Sequence, residues 1–259
     1  MTGSTFENVK AVIFDVLHTL VDDSGFPRYQ LKKMLKDDGL EIEAAEFDDV
    51  YNDLTAREYD WEEAEVEISF RTMKDRHVTR LEALYSRLNL NEERNISSDI
   101  ELLWERIRTS SVYPEVPEVL PALQAGGYRL GLLSNADVDD PVLRVLFDAG
   151  IKVSFDVVVT SQGAGVYKPD RRIFERVLLE LELEAEDVVM VGDNPASDIM
   201  GAKRVGIPVI WVNRRGGEFP DRFPSPDASI SDLRGLLDLL PTPSKSVTPV
   251  ILNSDIYSR

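Results

Sequence analysis

Acidic, basic and hydroxyl side chains stand in this chain where short apolar runs end. Asp15 follows Ala11-Val12-Ile13-Phe14, Ser134-Asn135 follows Leu130-Gly131-Leu132-Leu133, and Gly192-Asp193 follows Val188-Val189-Met190-Val191. Lys168 lies in Val166-Tyr167-Lys168-Pro169-Asp170, and Asp198 closes the run Gly-Asp-Asn-Pro-Ala-Ser-Asp about one helical turn after Asp193. Three carboxylates brought together repel strongly and need cations. Lys168 is one, and a hard divalent ion such as Mg²⁺ is the natural other. The Ser134 hydroxyl and backbone N–H groups around Asn135 add donors for a tetrahedral anion. A carboxylate nucleophile, a metal and anion donors suit phosphoryl transfer through an aspartyl phosphate.

One Asp after one strand proves little, because Asp is common in turns and helix caps. The reading depends on the elements that bring the segments together. After Val112, strand and helix patterns alternate. Strands are predicted at 130–133, 155–159, 188–191, 207–212 and 228–230, with helices from a first turn within Tyr113–Glu118 through Leu120 and Leu123 to Gly126-Gly127, and from about Pro141 to Ala149, Asp170 to Leu181, Pro195 to Val205 and Leu233 to Leu240. This alternation implies an α/β fold with a doubly wound parallel sheet. In such sheets ligands bind beyond the carboxyl ends of the strands. Asp15, Ser134-Asn135, Lys168 and Asp193 are therefore expected at one edge.

Residues 22–111 have a different character. They are charged, nearly free of Gly and Pro, and helical in period. Phe47, Val50, Tyr51, Leu54 and Glu58 follow helical spacing, as do Ile100, Leu103, Trp104 and Ile107. Val66, Phe70, Met73, His77, Leu81, Leu84 and Leu88 form one stripe at alternating steps of three and four. A bundle of about four helices, inserted after the first strand, is predicted. His77, set in an apolar stripe, reads first as a packing residue. Lys32, Lys33 and Lys36 read as a solvated helix face. The expected division is an α/β core from 1–21 and 112–240, the inserted helices at 22–111, and a Pro/Ser/Thr-rich tail at 241–259 with no assigned structure.

The formal net charge of −18 argues against nucleic acid or anionic lipid as partner. With no cysteine, disulfides and thiol chemistry are excluded. No apolar run approaches the roughly 20 residues of a membrane span, and the N-terminus lacks a secretory layout, so a cytoplasmic protein with a small-molecule substrate is expected.

The order F-D-V-L-H-T-L, L-L-S-N, Y-K-P-D and V-G-D-N-P-A-S-D resembles the haloacid dehalogenase (HAD) superfamily of hydrolases, and the helical insertion resembles its type 1 cap. The resemblance covers about Lys10 to Leu240. It implies a HAD-like Rossmannoid core, Asp15 as nucleophile, and Mg²⁺ held by Asp15, Asp193 and the backbone carbonyl of Leu17. It further implies that Ser134, with the backbone donors at Asn135, holds the phosphoryl group. Thr19 would support the nucleophile loop, Lys168 would neutralise charge, and Asp198 would orient Lys168 or metal-bound water. The substrate would be a phosphorylated metabolite.

One departure matters. Phosphatases of the family carry a second Asp two residues after the nucleophile, as general acid and base. This chain has Leu17 there, and general acid–base help is typically worth about 10²–10⁴-fold. His18 stands where Gly is usual. Dehalogenases of the family also lack the second Asp but act without metal, and Asp193 argues against them. Phosphonatase-like relatives use a cap lysine, for which Lys32, Lys33 and Lys36 are the candidates. Three readings stand: a Mg²⁺-dependent phosphatase, slow or substrate-restricted; a hydrolase of C–P or C–halogen bonds; and a non-catalytic binding protein of the same fold.

Overall fold

The computed structural model describes residues 6–22, 28–40, 42–58, 70–90, 94–107, 110–151 and 153–240. Its strands are β1 (Ala11–Phe14), β2 (Val21–Asp22), β3 (Ser111–Val112), β4 (Arg129–Ser134), β5 (Val157–Thr160), β6 (Val188–Gly192), β7 (Val209–Val212) and β8 (Ala228–Ile230). Its α-helices are α1 (Arg28–Asp37), α2 (Ala44–Glu58), α3 (Met73–Arg87), α4 (Ile96–Ile107), α5 (Val116–Ala125), α6 (Pro141–Asp148), α7 (Ser161–Ala164), α8 (Arg171–Leu181), α9 (Met200–Arg204) and α10 (Gly235–Leu239).

Among the described residues, six strands form one parallel sheet in the order β5-β4-β1-β6-β7-β8. β1 is central, and all four of its residues are buried. Its side chains alternate with the pleat: Val12 and Phe14 join one apolar cluster, Ala11 and Ile13 the other. α5, α6 and α10 cover the first face through Val119, Leu123, Leu143 and Leu236. α8 and α9 cover the second through Phe174, Val177 and Ala202. Helices on both faces make the sheet doubly wound, as the alternation predicts.

β1 sits between β4 and β6, so the carboxyl ends of all three meet at one rim. Strand order reverses there, at the switch point of such a fold. Gly131 lets β4 lie close in, because a Cβ on it would stand 2.5 Å from both Ile13 and Val157 side chains.

α1 to α4 lie between β2 and β3 and have their own apolar cluster, including Leu31, Met34, Phe47, Leu84, Tyr85, Ile100 and Leu103. β2 and β3 pair antiparallel, Val21 with Val112 and Asp22 with Ser111, where the chain leaves and re-enters the sheet region. No sequence signal announced this two-residue ladder.

The stripe predicted from Val66 to Leu88 is not one helix. Val66 lies outside the described residues, and Phe70 precedes the helix. α3 begins after Thr72, whose side chain accepts from the Asp75 N–H while Asp75 accepts from the Thr72 N–H. This capping box ends the helix on its N-terminal side. Phe70 is apolar for another reason: its ring stacks on Tyr167 at 5.1 Å.

The helix predicted from Pro195 opens as a π-turn, Pro195–Ile199, before α9. The predicted strands at 155 and 207 begin two residues later than expected, at Val157 and Val209. No helix among the described residues is long and apolar enough to cross a membrane. Residues 241–259 and Asn91 lie outside the described residues.

Candidate active site

Asp15 follows β1 and its N–H donates to Val191 O (2.9 Å), which fixes where the carboxylate leaves the sheet. The chain then turns sharply: the N–H groups of Leu20 and Val21 both donate to Val16 O, at 2.8 and 2.9 Å. The turn brings the Thr19 hydroxyl back to donate to Asp15 Oδ2 at 3.3 Å. It also requires His18 at φ 62°, the left-handed region that glycine adopts without strain.

Lys168 is the centre of the charge arrangement. Its ammonium, 1% exposed, donates to Asp15 Oδ1 (2.6 Å), Asp198 Oδ1 (2.7 Å) and Leu133 O (2.8 Å). All three of its N–H bonds are therefore used. Burial opposes its charge, but Asp15 and Asp198 outweigh burial and hold the ammonium above the usual lysine range.

Asn135 places that lysine. Its side chain spans the Lys168 peptide, accepting from Lys168 N at 2.7 Å and donating to Lys168 O at 3.1 Å. The sequence pointed to backbone donors near Asn135; the side-chain bridge to Lys168 is additional. Ser134 is buried at the end of β4, in register with Thr160.

Asp198 is fully buried, and its Oδ2 accepts from Asn194 N at 3.0 Å. Asn194 caps the same turn, its Oδ1 accepting from Ala196 N (2.9 Å) and Ser197 N (3.1 Å). Gly192 makes room for the fold-back: a Cβ there would lie 2.4 Å from Asp198 Oδ2. Burial pushes the Asp198 carboxyl up to about 6, with Lys168 opposing.

Asp193 is half-buried, with its carbonyl held by Trp211 Nε1 at 2.9 Å. Burial first, then the charges of Asp15 and Asp198, drive its carboxyl well above the usual range. Carboxylate oxygens of Asp15, Asp193 and Asp198 lie within 4.8 Å of one another. Two ligands of one octahedral Mg²⁺ stand roughly 3–4 Å apart, a separation of the same order as this cluster. Three carboxyl groups share one ammonium, the raised carboxyls of Asp193 and Asp198 mark a shortage of positive charge, and the donors are all hard oxygens. The residues fit a divalent cation.

Leu17 is half-buried and packs against the larger apolar cluster. His18 lines a cleft of about 230 Å³ with Tyr113, Asp193, Trp211 and Arg214. His77 is half-buried on α3, beside Arg80 (Nδ1 to Nη1 3.5 Å), and burial followed by the charges of Arg80 and Arg76 pushes it down to about 3. Lys32 pairs with Asp48 at 2.5 Å, and Lys33 and Lys36 are exposed. None of the three joins the Lys168 cluster among the described hydrogen bonds.

The inserted helices reach the rim at two further points that sequence reasoning missed. Asp137, three residues after Ser134, accepts from Met73 N (2.8 Å) and Lys74 N (3.0 Å) at the start of α3. Tyr167, next to Lys168, donates its hydroxyl to Arg71 O and carries the Arg76 guanidinium 4.5 Å above its ring. The Thr72-x-x-Asp75 pattern was the one signal that marked where α3 starts.

The sequence profile of the haloacid dehalogenase-like hydrolases matches residues 9–206. A phosphoserine phosphatase of Thermus thermophilus is 36% identical over 134 residues, 52% of this chain and 53% of the relative. An (S)-2-haloacid dehalogenase of Pseudomonas sp. strain YL is 33% identical over 130 residues, 50% and 55% of the two chains. The match thus spans about half the length of these two relatives. A glyceraldehyde 3-phosphate phosphatase of Methanothermobacter thermautotrophicus is 30% identical over 211 residues, 79% of this chain and 86% of the relative. Among solved structures, a Bacillus subtilis protein described as a HAD-hydrolase bound to magnesium aligns with TM-score 0.72 at 20% identity, over 90% of this chain and 99% of its own. At that identity the likeness is one of fold.

Proposed function

Since this chain belongs to the haloacid dehalogenase-like hydrolase family, we propose that it is a Mg²⁺-dependent phosphatase acting through an aspartyl phosphate on Asp15. The observation that carries the reading is the Lys168 bridge between Asp15 and Asp198 with the Asp193 carboxylate beside them. An acid at 193 has a purpose if a metal is held there. Asp15, Asp193 and the Leu17 carbonyl would hold it, and the ion would supply charge neutralisation for a dianionic phosphoryl group.

An Asp15 carboxylate oxygen attacks phosphorus, and the bond to the ester oxygen breaks. Lys168, bound to the other Asp15 oxygen, keeps the nucleophile aimed. The Ser134 hydroxyl holds a phosphoryl oxygen. Thr19 fixes the Asp15 rotamer. No side chain at 17 can give the departing oxygen its proton, so that proton comes from solvent. Good leaving groups are favoured. Water then attacks the aspartyl phosphate without a carboxylate base at 17, which makes this second step slow. α1 to α4 act as the substrate-selecting cap on a core formed by 1–21 and 112–240. The substrate is a small phosphorylated metabolite, and the protein works in the cytoplasm.

A haloacid dehalogenase is the second reading, favoured by Leu17 and by the 33% identical relative. Hydrolysis of an aryl phosphate and of 2-halo acids, each with Mg²⁺ and with chelator, separates the two. The phosphatase reading expects aryl phosphate turnover lost on chelation. Metal-independent halide release with no phosphate release would replace it.

A further inference from the structure

The turn that aims Asp15 is strained at His18. A left-handed residue with a Cβ costs about 1–2 kcal/mol and persists where its surroundings over-determine it. Here the His18 N–H donates to Val21 O at 2.8 Å within the turn, and one guanidinium holds the turn from the far end of the sequence. Arg214, two residues after β7, donates from Nε to His18 O at 3.1 Å and from Nη2 to Thr19 O at 2.7 Å. Its Nη1 lies 2.7 Å from Glu115 Oε1, and its Cζ lies 3.5 Å from the centre of the Tyr113 ring.

Glu115 is 3% exposed, and the same oxygen accepts from Leu233 N at 3.5 Å. A buried carboxylate of that kind needs a counter-charge, and Arg214 provides it. Tyr113 N donates to Leu20 O at 2.9 Å, so the turn and the re-entering chain are also joined directly. Three segments meet on Arg214: the loop after the nucleophile, the return from the inserted helices, and the loop after β7.

We infer that Arg214 is a positioning residue, holding the His18-Thr19 turn so that Asp15 stays aimed and tying that turn to the chain returning from α4. This rests on Asp15 being the nucleophile of the proposed phosphatase. The contacts need a planar fork. Two successive carbonyls, a carboxylate and a ring face are engaged at once, and the single ammonium of lysine cannot reach them all.

The test compares Arg214→Lys and Arg214→Met with wild type in two measurements: the rate of the first turnover of a saturating aryl phosphate with Mg²⁺, read by rapid mixing because it reports attack by Asp15, and amide hydrogen exchange over residues 16–21. Misplacement by about 1 Å can cost 10²-fold, so the first-turnover rate is expected to fall at least tenfold in both variants. Exchange over 16–21 is expected to quicken while β6 keeps its protection. A structural role alone would lower thermal stability without moving the first-turnover rate in the folded protein. If Arg214→Met does not fold, Arg214→Lys decides. A wild-type first-turnover rate and protection in a folded variant would overturn the inference. Should wild type hydrolyse no phosphate ester, the phosphatase reading falls, and exchange over 16–21 alone decides for or against the clamp.

Discussion

Lys168 and Asp198 form an ion pair with no access to solvent: Nζ stands 2.7 Å from Oδ1, and the side chains are 1% and 0% exposed. Taking two charges out of water is costly, and removing one partner of such a pair typically destabilises by about 3–5 kcal/mol. Lys168→Met leaves Asp15, Asp193 and Asp198 with no resident cation. The variant is expected to lose turnover and to unfold at lower temperature in chelator. Added Mg²⁺ should raise its melting temperature more than that of wild type. Scanning calorimetry with and without Mg²⁺ reads this, and an equal metal effect on both proteins would contradict it.

Leu17 packs apolar surface where a proton donor would serve the ester oxygen. Leu17→Asp is expected to raise kcat on an alkyl phosphate, a poor leaving group, by at least about tenfold, within the general acid–base range. An aryl phosphate, whose leaving group needs little protonation, should gain in the second step instead, where the new carboxylate serves as base. No gain on the alkyl ester in a folded variant would mean another group already supplies the proton.

Asp140 caps α6 through Val142 N at 3.0 Å while buried, and burial lifts its carboxyl from the usual carboxylate range to about 6. The native state then holds a proton that the unfolded chain has released between about pH 4 and 6. The stability this proton contributes is full below pH 4 and is lost as pH rises through 6, an amount up to about 3 kcal/mol. Asp140→Asn keeps the cap and removes the titration. The stability of the variant relative to wild type should therefore grow from pH 4 to pH 6.5 in urea unfolding. A constant difference would contradict the assignment.

Asp137 ties the start of α3 to the loop after β4. Losing both acceptors in Asp137→Ala is expected to cost about 1–2 kcal/mol. Amides at 73–76 should exchange faster while those of β4 do not. Uniform quickening across the sheet would mean that Asp137 serves the core rather than the attachment of the helices.

The sheet and the strand-end residues were legible because apolar runs, turn residues and carboxylates are all local signals. Asp15, Ser134, Lys168 and Asp193 could be placed at one rim from alternation alone, since a parallel sheet gives its strands a common direction. What escaped depends on contacts between distant segments. The role of Arg214 exists only because β7 ends beside a turn 195 residues earlier. Gly192 reads as punctuation until Asp198 folds back against it. Phe70 extended the helical period past Thr72 because an aromatic that packs on Tyr167 looks, in sequence, like one that faces a helical core.

Leu17 gives the account its most direct test, because a missing base slows hydrolysis of the aspartyl phosphate more than its formation from a good leaving group. Rapid mixing of the protein with an aryl phosphate and Mg²⁺ should release a burst of about one phenolate per chain, followed by a slow steady rate. Asp15→Asn, correctly folded, should show neither phase. A linear release from the first turnover, or a burst that survives Asp15→Asn or chelation, would contradict Asp15 as the phosphorylated nucleophile.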